Sequence, residues 1–346
     1  MSTSSINPVH NNLVSHDPVN KNPLNLVADI GGTNIRLGVS DSSNLIIDIE
    51  TYQCRDFTCL LDVIQCYLTE KNITKASINA CLAIACPVDT DIISMTNLPW
   101  QFSQTELKKA LKLNKLILIN DYTAIAMAIP MLTDKQKVKI GGGTAIADKT
   151  IAVCGPGTGL GVANLIPLVN KWYCLGGEGG HVDYAPIDDK EIQVLRYIQG
   201  FKKRVSYEQL LSGYGLEQIY QALLNIEHDN CLPQQAPSLT AQEISTQALI
   251  ETCTLSQQAL DLFCKVLGSF AGNLALTMNT QGGVYIAGGI VPRFIDYLRN
   301  SDFRLRFEAK GRMSPLNKEI ATYVITEKQP GLLGASVYLN QDLAIN

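Results

Sequence analysis

Apolar and polar positions follow two rhythms along this chain, and glycines mark the changes between them. An apolar run from Leu26 to Ile30 meets Gly31-Gly32-Thr33-Asn34, and Ile35 to Val39 and Leu45 to Ile49 follow. Short alternating runs joined by turn residues predict an antiparallel meander. Phe57, Leu60, Leu61, Ile64, Tyr67 and Leu68 then recur at helical spacing, and Ile78 to Ile84 reads as a buried strand. Ser103-Gln104-Thr105-Glu106 has the pattern of a capping box and predicts a short helix through Leu111. Leu116 to Ile119 is the next predicted strand, delivering Asn120 and Asp121 at its C-terminal end, with a helix from Thr123 to Met131 after it.

The stretch Thr133 to Lys149, with lysines at 135, 137, 139 and 149 and the run Gly141-Gly142-Gly143, reads as a loop and as the boundary between domains. Beyond it the opening pattern returns: Ile151 to Cys154, then Gly155-Pro156-Gly157-Thr158-Gly159, then Leu160 to Leu165. Aligning Gly32-Thr33 with Gly157-Thr158 sets Ile35, Leu37 and Val39 against Leu160, Val162 and Asn164. The two hairpins read as weak internal copies, one opening each domain. Further on come a helix from Gly215 to Ile226, another capping box at Thr240 and Glu243, and a long apolar helix from Leu255 to Met278. A strand from Val284 to Ala287 ends in Gly288-Gly289-Ile290, and a last strand, Tyr323 to Thr326, precedes a helix that starts near Pro330 and runs to Leu339. Alternating strands and helices predict an α/β chain with two mixed sheets.

Composition narrows the function. With 346 residues, the chain is long enough for about two domains, each with its own core. Lys+Arg 28 against Asp+Glu 32 leaves a net charge of −4, which supplies no basic footprint for nucleic acid. No continuous apolar run reaches the ~18 to 20 residues of a bilayer span, so no membrane partner is expected. The first 25 residues carry Ser, Asn, Pro and His with Lys21 as their only Lys or Arg, and the expectation is a flexible tail and a cytoplasmic protein. Ten scattered cysteines without a C-x-x-C pair, and only His10, His16, His181 and His228, give a zinc site little to work with.

Glycines in a turn between strands let backbone N–H groups approach an anion, because no Cβ intervenes. Asp29 to Asn34 adds a carboxylate and a hydroxyl to such a turn; an ordinary hairpin is the plainer alternative. The second turn carries glycine at every other position from Gly155 to Gly161, and two such turns favour a pair of phosphate clamps. Neither fits the Walker pattern, and dinucleotide spacing fails at Val162. A triphosphate needs a divalent ion, and Asp29 stands where a carboxylate can face it, whereas the aligned position in the second hairpin is Cys154. Asp121, at the end of a strand, projects where a general base belongs, although such an acid often merely caps a helix. Glu178, His181 and Asp183 sit among the glycines 176, 177, 179 and 180, a low-bulk segment suited to bringing polar groups against a polar ligand.

Taken together, DIGGTN, INDYTA, GPGTGLG, GEGGHVDYAP, LSGYGLEQIY, GGVYIAGGIVPRF and QPGLLG resemble the bacterial glucokinase family, in the same order and from Leu26 to Leu339. The resemblance implies a two-domain hexokinase/actin-like (ribonuclease H-like) fold with an interdomain cleft. A small domain would take residues 25–131 and 322–346, a large one 132–321, with the tail at 1–24. It implies ATP-dependent phosphorylation of the 6-hydroxyl of glucose, in the first step of glycolysis, with ATP and Mg2+ and in a homodimer. The catalytic base falls on Asp121, and sugar partners fall on Asn120, Asp121, Glu178, His181 and Glu208. Nucleotide contacts fall on Ala28, Asp29, Ile30, Gly31, Gly32 and Thr33, on Gly155, Gly157, Thr158 and Gly159, and on Gly288 and Gly289, with Asp29 facing magnesium through water. The absence of a C-x-C-G-x-x-G-C segment points to the zinc-free branch. Two rivals stand beside this reading: an actin- or Hsp70-like ATPase module, and a sugar-sensing regulator, which needs a DNA-binding domain ahead of Leu26.

Overall fold

The structure is a computed structural model that describes residues 23–74, 77–95, 98–227 and 238–344. The expected tail at 1–24 lies outside the described residues except for its last two, and Leu24 already begins a strand. Strands β1 (Leu24–Ile30), β2 (Asn34–Ser40) and β3 (Ile46–Gln53) form the expected meander. After helix α1 (Leu60–Glu70), β4 (Ile78–Ile84) pairs parallel with β1. All seven β4 residues are buried, as a strand covered on both faces requires.

A small β5 (Ile92–Ser94) and β6 (Gln101–Ser103) ribbon leads into α2 (Gln104–Ala110), whose N-terminus is held by the Ser103 side chain accepting the Glu106 N–H. Then β7 (Lys115–Asn120) completes a sheet of order β3-β2-β1-β4-β7, and α3 (Asp121–Ala128) follows without a loop. The registers Asp29 with Ala83 and Ile84 with Asn120 bring the C-terminal ends of β1, β4 and β7 to one edge.

The second sheet repeats this plan. The stretch 133–149, expected as a loop, contains β8 (Lys137–Gly141), an edge strand. Its alternation of Lys137 and Lys139 with Val138 and Ile140 is how exposed edges are protected, and it reads as a loop when only the lysines and glycines are weighed. A second meander follows, from β9 (Ile151–Pro156) and β10 (Leu160–Leu168) to β11 (Lys171–Gly177), the last of which was not foreseen.

Helices α4 (Asp189–Gln199), α5 (Gly213–Glu227), α6 (Ala241–Leu249) and α7 (Thr254–Met278) then cover one face. The capping box at Thr240 and Glu243 is complete in both directions. Helix α7 is long and apolar enough to cross a bilayer, yet most of it is packed inside the core. Strand β12 (Val284–Ile286), helices α8 (Ile295–Asn300), α9 (Phe303–Glu308) and α10 (Ser314–Glu319), strand β13 (Thr322–Ile325) and helix α11 (Pro330–Leu343) finish the chain. The sheet order is β11-β10-β9-β12-β13-β8. The segment 322–346, expected with the small domain, therefore divides: β13 belongs to the second sheet, and only α11 packs against the first.

Helices α3 and α11 lie between the two sheets. On one side Ala124, Leu332, Ala335 and Leu339 pack with Val27, Cys81 and Ala83 of the first sheet. On the other, Ala126 and Met127 pack with Val153, Ala163, Leu165 and Tyr285 of the second. This explains why α3 is apolar nearly all round. The two helices touch backbone to backbone, since a Cβ on Gly334 would overlap the Ala124 carbonyl.

Candidate active site

The first hairpin puts Asp29 at the end of β1, directly opposite Arg36 on β2. Arg36 Nη1 lies 3.4 Å from Asp29 Oδ2. The carboxylate also rests on the start of α11, where a Cβ on Gly331 would come within 2.7 Å of Asp29 Cγ. Burial raises the Asp29 pKa, and the Arg36 charge opposes that rise. The turn is closed by Gly31 N–H donating to the Asn34 carbonyl at 3.0 Å.

At the β7–α3 junction, the residue that caps the helix is Asn120: its Oδ1 accepts the Tyr122 N–H at 2.9 Å. With Asn120 as the cap, Asp121 lies at the first position of the helix and lines the cleft. Burial, with added repulsion from Asp29, pushes its pKa up to about 6. A carboxylate with this affinity for protons is ionised at neutral pH and still basic enough to accept one.

The second hairpin owes its glycines to packing. Gly155 accepts the Tyr122 hydroxyl at 2.6 Å, and a Cβ on it would stand 2.6 Å from the Ala287 carbonyl. A Cβ on Gly161 would overlap the Tyr122 ring, and one on Gly159 would press on Glu208. Gly157 alone of these four has open space around it, and its N–H donates to the Gly159 carbonyl at 2.8 Å. Behind this turn Gly288 adopts φ +86 against the Pro156 carbonyl, a conformation and a closeness that only glycine tolerates.

Glu178 follows β11 and is well exposed, at 82% for its side chain, whereas Glu208 is recessed at 25%. His181 stands between them, Nε2 3.9 Å from Glu178 and Nδ1 3.8 Å from Glu208. Glu208 Oε2 accepts the Leu160 N–H at 2.9 Å, which ties it to the second hairpin. Asp29, Gly31, Gly32, Asn120, Asp121, Gly155, Gly157, Thr158, Gly159, Glu178, Glu208, Gly288 and Gly289 all line one cleft of about 810 Å³.

A family model described as glucokinase matches residues 26–342. The chain belongs to the glucokinase family. It is 66% identical over 318 residues to the glucokinase of Colwellia psychrerythraea, covering 92% of this chain and 96% of that protein. To the glucokinase of Photorhabdus laumondii it is 48% identical over 321 residues, covering 92% and 98%. Among solved structures, glucokinase from an Antarctic psychrotroph superposes with a TM-score of 0.83 at 36% identity, covering 93% of this chain and all of that one. A ROK family glucokinase from Streptomyces griseus, in complex with glucose and AMPPNP, shares the fold at TM-score 0.62 and 18% identity, covering 92% and 99%. As a glucokinase, the protein phosphorylates glucose with ATP.

Against this glucokinase frame, a few expected contacts fall away from the cleft wall. Ala28 and Ile30 are fully buried in the core on the far face of the first sheet, as alternation along β1 demands. Thr33 is exposed at the turn and does not line the cleft; its carbonyl accepts the Cys54 N–H. His181 stands just outside the wall that Glu178 and Glu208 form. Arg36, Tyr122, Lys328 and the segment Ala85-Cys86-Pro87 also line the cleft and were not foreseen. Counting back across the hairpin from Gly31 would have found Arg36, since antiparallel pairing sets it opposite Asp29.

Proposed function

We propose that Asp121 removes the proton from the 6-hydroxyl of glucose as that oxygen attacks the γ-phosphorus of ATP in line, with ADP leaving. The observation that carries this reading is the half-buried Asp121 carboxyl in one cleft with both glycine hairpins and with Glu178 and Glu208. Asn120, Glu178, His181 and Glu208 supply partners for the sugar hydroxyls. A site built on such partners rejects analogues that leave them unpaired. The N–H groups around Gly31-Gly32 and Gly157-Thr158-Gly159, with Gly288-Gly289 beyond, hold the nucleotide.

Asp29 suits a magnesium ion held through water. Its carboxylate is desolvated, with one cationic side chain, Arg36, against it. A magnesium ion would keep several waters and need only one or two protein carboxylates, a role Asp29 could fill. When bound, it neutralises charge spreading over the transferred phosphoryl group. The reading extends to the zinc-free branch, to a cytoplasmic homodimer, and to closure of the sheets over the sugar, which expels water that would otherwise accept the phosphoryl group.

Asp121→Asn tests the assignment. ADP release coupled to a reporter enzyme should fall by ~10²–10⁴ in kcat, the usual worth of a general base, while glucose binding by calorimetry persists. Turnover near that of the unaltered enzyme would remove Asp121 from the reaction.

A further inference from the structure

His181 and Glu208, both read above as sugar partners, flank two short segments, 182–184 and 205–207, that are tied to each other. Tyr184 N–H donates to the Val205 carbonyl and Tyr207 N–H to the Val182 carbonyl, both at 3.0 Å. Each segment then sends a tyrosine inward. The Tyr184 and Tyr207 rings meet edge to face, with centroids 5.5 Å apart.

The Tyr184 hydroxyl donates to Glu191 Oε2 at 2.9 Å, and Glu191 is fully buried. The same oxygen accepts the Ile187 N–H at 3.0 Å, and Oε1 accepts Arg306 Nη1 at 2.5 Å. Arg306 is itself held by Ser269 of α7 at 3.1 Å. On the outer side, Arg204 Nη2 donates to the His181 carbonyl at 2.6 Å, and its Nε lies 2.5 Å from Asp183 Oδ1. The segment that follows His181 is therefore anchored to the core through Tyr184, and the His181 carbonyl is held from the surface by Arg204.

A buried ion pair is a poor way to gain stability, because an apolar replacement of the same volume is often as stable or more so. What it does supply is direction: three donors converge on one carboxylate and leave Tyr184 a single position. We propose that Glu191, Tyr184 and Arg204 are positioning residues that fix the spacing of His181 and Glu208 and so set the enzyme's affinity and selectivity for the sugar. This rests on the reading of His181 and Glu208 as partners of sugar hydroxyls. None of the three positioning residues touches the nucleotide turns, whose hydrogen-bonded link to the pair is the Leu160 N–H donating to Glu208, so their loss should fall mainly on the sugar.

The test uses the full chain carrying Arg204→Ala, Tyr184→Phe or Glu191→Gln, with KM for glucose, KM for ATP, kcat and Tm measured for each. Arg204→Ala should raise KM for glucose about tenfold, the equivalent of one lost charge-assisted hydrogen bond, and leave KM for ATP within about twofold. Tyr184→Phe should raise it about threefold and also narrow the gap in kcat/KM between glucose and its monodeoxy analogues. Glu191→Gln should do the same with a lowered Tm; where that variant fails to fold, Arg204→Ala and Tyr184→Phe decide.

Unchanged KM values for both substrates in Arg204→Ala and Tyr184→Phe would overturn the proposal, as would parallel rises for glucose and ATP. His181→Ala and Glu208→Gln are measured beside them. If those two leave KM for glucose unchanged, the sugar reading itself fails, and the positioning role goes with it. If they raise it while the positioning variants do not, only the positioning role fails.

Discussion

In the first sheet the order β3-β2-β1-β4-β7 is followed by α3, and in the second β11-β10-β9-β12-β13 is followed by α11. The backbone plan is the same, but the charges are not. The first hairpin carries Asp29, and the strand–helix junction of that half carries Asp121, both in the cleft. At the position aligned with Asp29 the second hairpin has Cys154, fully buried in the large core, with its thiol pushed up to about 12 by burial. Where the first half lines the cleft with acids, the second lines it with backbone and borrows Glu208 and the Tyr122 ring from elsewhere. A repeated fold thus provides two similar hairpins, while side chains at equivalent positions decide which of them carries charge.

Exchanging those residues would break the comparison most sharply. Cys154→Asp forces a carboxylate into an apolar site with no cation to meet it, and urea unfolding should show a loss of about 3–5 kcal/mol. The reverse exchange, Asp29→Cys, should leave the fold intact and lower kcat by about 10²–10³, as expected when one electrostatic element of a phosphoryl-transfer site is removed. Equal stability losses in the two variants would show that the halves do not differ as described.

The smallest effect concerns pH. Because Asp121 must be ionised to accept a proton, kcat/KM for glucose should fall about tenfold per unit below pH about 6, where its raised pKa lies. The stability consequence has the opposite sign. A carboxyl whose folded pKa exceeds its unfolded value favours folding at low pH, and that contribution disappears as pH rises through about 6. Asp121→Asn should therefore unfold at higher urea than the parent at pH 8 and show no advantage at pH 3, by about 1 kcal/mol after allowance for solvent screening. An advantage that persists at pH 3 would assign the effect to something other than this carboxylate.

Much of the architecture was readable because local pattern and tertiary role agree. Ile78 to Ile84 is apolar at every position but Asn79 and became β4 with those limits, and the two glycine turns became hairpins of two similar sheets. Elements with mixed signals were harder: β8 hides its alternation among lysines, and β11 places Tyr173 and Leu175 outward. In the site, the spacing of acids and glycines was visible but its causes were not. Gly161 reads as a flexible turn until the Tyr122 ring is seen lying on it. The pairing of Glu191 with Arg306 spans 115 residues and leaves no local trace. Arg36 follows from strand arithmetic, since antiparallel pairing sets it opposite Asp29.

The bare contact between Gly334 and Ala124 reaches further than packing. Asp121 begins one of the two helices that cross there, and Asp29 lies against the first turn of the other. Two rods joined where no side chain stands between them can pivot without sliding. The proposed closure of the sheets, turning about this contact, would leave the spacing of Asp121 and Asp29 unchanged.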